Sequence, residues 1–191
     1  GDTSLSTVLE HSIALDIRAD RFNAFGETAS GVNAALSIKD GLLSLNRLKV
    51  ASLEGAELSA SGTLGGTLLA PSAGLDMTVK AAAMRPVADL LARHLPAHPV
   101  LGRFAANAGY YDNADLSVRA SISGEAGDPV TIAVNGPVNE GRVELKLSAE
   151  TLADLLRGRN FELDGSLFNP QSVVLAGQIG LDPLPFDADP D

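Results

Sequence analysis

The chain reads as mainly β: an antiparallel curved sheet, or an open sandwich or groove, of about nine or ten strands with two or three short helices. Three observations carry that prediction. Apolar and polar residues alternate with a period of two in segment after segment. Gly, Pro, Asn and Asp punctuate the segments, and only a few stretches switch to the helical period. Composition agrees, since 19 glycines and 10 prolines in 191 residues supply many reversals, while 45% hydrophobic residues supply a core. With aromatics at 4% and no Trp, that core is built mostly from Leu, Val, Ile and Ala.

The first strand is expected over 11–18, with Ile13, Leu15 and Ile17 set against Ser12, Ala14, Asp16 and Arg18. Segment 32–39 repeats the pattern, with Val32, Ala34, Leu36 and Ile38 on one side. Asp40-Gly41 then forms a two-residue hairpin turn of type I′, where Gly accepts positive φ at little steric cost. The returning strand is 42–50, and 58–64 follows the turn-like Glu54-Gly55. Gly65-Gly66 and Pro71 make a break before Leu75, Met77 and Val79. Leu116, Val118, Ala120 and Ile122 alternate next, then Val130, Ile132 and Val134. Asn139-Glu140-Gly141 turns into Val143, Leu145 and Leu147, and the last strands are expected over 161–168 and 172–181.

Helices interrupt this series. Segment 86–94 has Pro86 in its first turn and Pro96 as its stop. Thr151-Leu152-Ala153-Asp154 has capping-box spacing, with Asp for the usual Glu, and Gly158 suits the position after the helix. Segment 99–108 is a third candidate. Residues 75–93 and 143–157 each lead from an alternating strand into Ala-Asp-Leu-Leu, which reads as a loosely duplicated strand–helix unit. The organisation is therefore a β-rich domain over 1–181, with a hairpin repeat at 11–64, duplicated units within 75–181 and an acidic tail at 182–191.

Charge and composition exclude several functions. Fourteen Lys and Arg against 24 Asp and Glu give a net charge of −10, and no basic run offsets it. Such a surface repels phosphate backbones, so nucleic acid is not an expected partner. The absence of Cys removes disulfides, thiolate metal sites and a Cys nucleophile. No stretch approaches the roughly 18–20 apolar residues of a membrane span. A start at Gly1-Asp2 reads as the soluble part of something longer, whose anchor lies outside these residues.

Reactive groups do not converge in the sequence. His94 and His98 have the i, i+4 spacing of helical metal ligands, but Pro96 between them ends the helix, so solvated loop histidines are expected. His11 stands alone at a strand start. Asp112, Asn113 and Asp115 lack the Gly and distal Glu of a calcium loop and read as a polar turn. Tyr110-Tyr111 reads as a half-buried pair before a strand. No G-x-S-x-G elbow, P-loop, G-x-G-x-x-G or H-E-x-x-H is present, while paired carboxylates for glycoside hydrolysis depend on spatial proximity. No catalytic residue, cofactor or metal is assigned. The apolar strand positions Ile13, Leu15, Ile17, Leu36, Ile38, Leu116, Val118, Ile132 and Leu145 suit either an ordinary sandwich core or a groove that meets acyl chains.

The run HSIALDIRADRFNAFGETASGVNAALSIKDGLLSLNRLKVASLEGAELSASGTL at 11–64 resembles the AsmA-like repeat. Asp16-Ile17-Arg18-Ala19-Asp20, Asp40-Gly41, Leu45, Leu48 and Ser59-Ala60-Ser61-Gly62-Thr63-Leu64 hold the matching places. The Leu-rich segment VADLLARHLP after an alternating strand is similar as well, and 75–181 follows the family more loosely. Glu54-Gly55-Ala56-Glu57 departs from it, where the family often has paired Gly. The resemblance implies a periplasmic domain, anchored in the inner membrane of a Gram-negative bacterium by a segment absent here. It further implies a long curved sheet with an apolar concave face and a part in lipid traffic or outer-membrane assembly. Phospholipid acyl chains are then the expected partner of the nine apolar positions named above. The alternative is an assembly module that pairs with protein through an exposed sheet edge.

Overall fold

Alternation of apolar and polar residues produces long strands here because each strand has a neighbour on which to match its faces. The computed structural model describes residues 12–66, 71–123 and 128–181. Nine strands form one open antiparallel sheet in which every strand lies beside its neighbour in sequence. They are β1 (Ile13–Ala24), β2 (Glu27–Lys39), β3 (Leu42–Leu53), β4 (Ala56–Gly66), β5 (Pro71–Ala81), β6 (Ala114–Ile122), β7 (Val130–Val138), β8 (Gly141–Ala149) and β9 (Phe161–Phe168). The predicted mainly β class, with one open sheet, is what the chain adopts.

Two-residue reversals set the register. Asp40 and Gly41 have φ of 51° and 77°, and Glu54 and Gly55 have 50° and 80°, the paired positive values of a type I′ turn. Phe25-Gly26 repeats them at 53° and 82° between β1 and β2. That turn carries β1 six residues past its expected end at Arg18. An aromatic residue is costly in the left-handed region, so nothing in its type announced a turn.

In-register partners then sort the side chains. One row across all nine strands reads Leu15, Leu36, Leu45, Gly62, Leu75, Ala120, Ile132, Leu147 and Leu163. The next apolar row reads Ile17, Ala34, Leu48, Ala60, Met77, Val118, Val134, Leu145 and Gly165. Between them on the opposite face runs Asp16, Ala35, Arg47, then Ser61, Asp76, Arg119, Ala133, Lys146 and Asp164. A register shift beside Leu36 absorbs Asn46, so Leu45 and Leu48, three apart, still share the apolar face.

Helices cover the apolar face at two places. α1 (Arg85–His94), α2 (Pro99–Ala106) and a 3-10 turn at Ala108–Tyr111 join β5 to β6. Val87, Phe104 and Tyr111 pack there on a cluster of Ala56, Val79, Ala81, Met84, Ala114, Leu116, Val138 and Val143. α3 (Leu152–Arg157) joins β8 to β9 and sets buried Leu155 against Val130 and Ala149, near the opposite strand ends. Both strand–helix units thus place a helix on the apolar side. Thr151 caps α3 as its spacing predicts: its Oγ1 accepts from the Asp154 amide at 3.1 Å and donates to Asp154 Oδ2 at 2.7 Å. Gly158 ends that helix in the left-handed conformation.

One expected strand is wrong. Segment 172–181 is not a tenth strand; Ser172–Gln178 forms a fourth helix, α4. Val173-Val174 favours extended chain locally, but tertiary packing decides. Asn169 Oδ1 accepts from the Gln171 amide at 2.8 Å at the helix entry. The Tyr110 ring lies directly on Gly177, where a β-carbon would overlap it. Tyr111 donates from its hydroxyl to the Gln178 carbonyl. The acidic segment 182–191 and His11 lie outside the described residues.

Candidate functional site

The feature with functional content is the apolar face where no helix covers it. Ile13, Leu15, Ile38 and Leu64 are 53, 52, 43 and 50% exposed, and all four lie on that face in the β1–β4 half of the sheet. Leu75 extends the exposed set to β5, while Ile17, Leu36, Leu43, Leu45 and Leu48 beside them are half-buried; Leu163 is exposed separately on β9, beyond the strands that α3 covers. A soluble chain hides large aliphatic side chains where it can, so a contiguous exposed group on one sheet face marks a contact surface.

The nine positions singled out from the sequence divide by location. Ile13, Leu15 and Ile38 are exposed, and Ile17 and Leu36 are half-buried on the same open region. Leu116 is buried beneath the α1–α2 layer, and Val118 and Leu145 pack against the same cluster. Ile132 packs against the cluster that α3 closes. Leu45, Leu64 and Leu75 complete the open region and were not among the nine. Their alternation is as regular as that of Leu15, and the row pairing is the signal that finds them.

The opposite face is wet across its middle rows, with Phe22, Leu42 and Phe168 exposed toward the strand ends. Arg18, Asn33, Lys49, Ser59, Thr78, Ser117, Asn135, Glu144 and Ser166 stand in one row. Ser59 and Thr78 hydroxyls are 2.6 Å apart, and those of Ser121 and Thr131 are 2.7 Å apart. Arg119 donates to Asp76 at 2.6 Å, and Lys80 meets Asp115 at 2.9 Å. These cross-strand pairs are exposed and screened by solvent, so they set pairing more than stability. A hollow of about 580 Å³ lies over this polar side, lined by Arg47, Lys49, Ser61, Asp76, Thr78 and Arg119 among others. The resemblance implies concavity on the apolar side, and this hollow is on the other one. Twist gives an open sheet opposite curvature along its two diagonals, so each face can be hollow in one direction.

Several titratable residues serve the fold. Glu27 Oε1 accepts from Arg93 Nε at 2.9 Å and lies 3.0 Å from His94 Nε2, tying the end of α1 to the start of β2. Glu54, in the β3–β4 turn, lies 3.8 Å from Arg93. His98 caps α2 by accepting from the Val100 amide, and its ring centroid lies 5.1 Å from that of Phe161. Asp112 accepts from the Met84 amide at 2.7 Å, Asn113 donates to Asn139, and Asp115 pairs with Lys80. The polar turn read at 112–115 is thus a clasp between the β5–α1 and β7–β8 connections. Among the described residues, no three His, Asp or Glu side chains come together as a metal site, and no described helix is long and apolar enough to cross a membrane.

The Glu27 contacts make the α1 tether sensitive to acid. The His94 hydrogen bond first, and the Arg93 hydrogen bond second, hold the Glu27 carboxyl below the usual carboxylate range. A group whose pKa is depressed by folding contributes stability above its unfolded value, and loses it as pH falls through the folded one. Glu27→Gln is therefore expected to lower the melting temperature at neutral pH and to flatten its fall from about pH 4.3 downward, so that the two proteins converge in acid. Parallel melting curves against pH check it, and an equally steep acid fall in the two proteins would contradict it.

Comparison with known proteins adds no relative: no family model, no curated protein and no solved structure matches this chain.

Proposed function

We propose that this chain is a non-enzymatic, lipid-shielding module of an envelope scaffold, working through the uncovered part of its apolar sheet face. The observation that carries the reading is the set of aligned apolar rows that reach the surface at Ile13, Leu15, Ile38, Leu64 and Leu75. Acyl chains laid on that surface stay out of water, and each buried methylene contributes about 0.8 kcal/mol. Headgroups remain in solvent beyond the rim. The mechanism is passive and calls for no cofactor.

Two further features support the same reading. Several titratable side chains take part in caps, turns and cross-strand pairs, and among the described residues no three His, Asp or Glu side chains converge. The repeat-like run at 11–64 builds β1–β4, the half of the sheet where the apolar face is most open. In this reading the module resides in the periplasm, tethered to the inner membrane by a segment beyond this chain, and serves lipid transfer or outer-membrane assembly. Pairing through a sheet edge is the second reading, favoured by β1 and β9 standing at the open ends of the sheet.

Native mass spectrometry of the purified chain, with organic extraction of the same sample, tests the proposal. Co-purifying phospholipid is the expected result, reduced at least about tenfold by paired Leu36→Asp and Leu45→Asp substitutions. A lipid-free chain that also fails to take up phospholipid from vesicles would overturn it.

A further inference from the structure

We propose that two copies of this chain join edge to edge through β1, antiparallel about a two-fold axis at Ile17, so that their nine-stranded sheets form one. β1 ends the sheet, and among the described residues no strand pairs with its outer side. Twelve residues long, it contains neither Pro nor Gly, so its backbone groups offer a continuous template for another strand. Its apolar positions run to the rim, where Ile13 and Leu15 are about half exposed.

The charges on the other face select the partner and the register. Asp16, Arg18 and Asp20 follow one another on the polar side with alternating sign. Antiparallel self-pairing sets residue i opposite j with a constant sum, and that sum must be even if apolar residues are to share a face. A two-fold at Asp16 sets that carboxylate against itself. At Arg18 it sets two guanidinium groups together and Asp16 against Asp20. At Ala19 the charges match, but Ile17 meets Arg21 and Leu15 meets Asn23. At Ile17, Asp16 faces Arg18 of the second copy twice over, Leu15 faces Ala19, and Ile17 meets itself. Ile13 then meets Arg21 near the end of the pair, and a two-fold at Leu15 matches the apolar residues throughout but leaves Asp16 and Arg18 facing Ala14 and Ser12, so the paired charges decide for Ile17.

Among the described residues neither charge makes a side-chain hydrogen bond. Asp16 has only a 4.0 Å approach from Arg47 and is 72% exposed, while the Arg18 guanidinium has no partner among the described residues. A head-to-tail arrangement fits less well. Nine alternating strands leave β1 and β9 running the same way, so stacked copies would pair them parallel and propagate without closure. The two-fold closes the assembly and carries the apolar rows across it.

Charge exchange and crosslinking on the whole chain test the proposal. Light scattering over a concentration series should show a dimer, weakened at least about tenfold by either Asp16→Arg or Arg18→Asp alone. Mixing those two variants should restore it, because every facing pair is then opposite in sign. Ile17→Cys should crosslink to itself on mild oxidation, since facing Cα atoms across an antiparallel pair lie about 4.5–5.5 Å apart, whereas Leu163→Cys on β9 should not. A monomer throughout, a dimer indifferent to both substitutions, or crosslinking at Leu163→Cys equal to that at Ile17→Cys would overturn it. Lipid content is read separately, so a lipid-loaded monomer removes this proposal alone and a lipid-free dimer removes only the lipid reading.

Discussion

Val138→Asp is expected to destabilise the chain by about 3–5 kcal/mol, the largest effect of any single apolar-to-charged change in this sheet. Val138 ends β7 and is the one large side chain among the described residues with essentially no exposure. It lies in the cluster that joins β5, β6 and β8 to the α1–α2 layer, with Ala81, Met84, Ala114 and Val143 as fellow members. A carboxylate there has no cation among those neighbours, so it must either ionise unpaired or take up a proton. Val138→Ala separates packing from charge and should cost about 2 kcal/mol. Urea unfolding followed by circular dichroism measures both. Equal losses for the two substitutions would mean that water reaches this site and that the helical layer does not close it.

Gly136→Ala should cost about 2–4 kcal/mol although it adds a single methyl group. Gly136 has φ of 147°, a conformation that L side chains rarely adopt. A β-carbon built there overlaps the Asp115 carbonyl oxygen and comes within 3.1 Å of the Leu116 Cα, both backbone atoms of the neighbouring strand β6. Neither can rotate away, so β6 and β7 must separate. Gly102 is the control, since a β-carbon there meets nothing within 4 Å and α2 prefers Ala by about 1 kcal/mol. If Gly136→Ala and Gly102→Ala unfold at the same urea concentration, the close approach of β6 and β7 is wrong.

Much of this architecture was legible before folding because strand alternation and turn chemistry are local. Asp40-Gly41 adopts the positive φ pair that its residue types favour, and Glu54-Gly55 repeats it with only its Gly as the signal. Thr151 and Gly158 delimit α3 as their spacing predicts. Phe25-Gly26 makes the same turn with a residue that carries no such signal, so β1 was read too short. Segment 172–181 failed for another reason. A short apolar run satisfies both periods, and the packing of Tyr110 on Gly177 that favours α4 comes from residues nearly seventy positions away.

The candidate site was half legible. Leu15 and Leu116 show the same alternation, yet one is half exposed and the other buried, because α1 and α2 fold over one end of the face only. Which part of an apolar face stays open is decided by where the connections land, and no periodicity records that. The row pairing that brings Leu45, Leu64 and Leu75 into one region likewise needs the register, including the bulge at Asn46.

Photocrosslinking at neighbouring positions of β5 tests the central claim most directly. Leu75 and Thr78 lie on the same strand, with Leu75 on the apolar face and Thr78 on the polar one. A benzophenone side chain at position 75 is expected to capture phospholipid in cell envelopes, and the same group at position 78 to capture none. Equal capture from both faces, or capture from Thr78 alone, would contradict the assignment of the apolar face as the lipid surface.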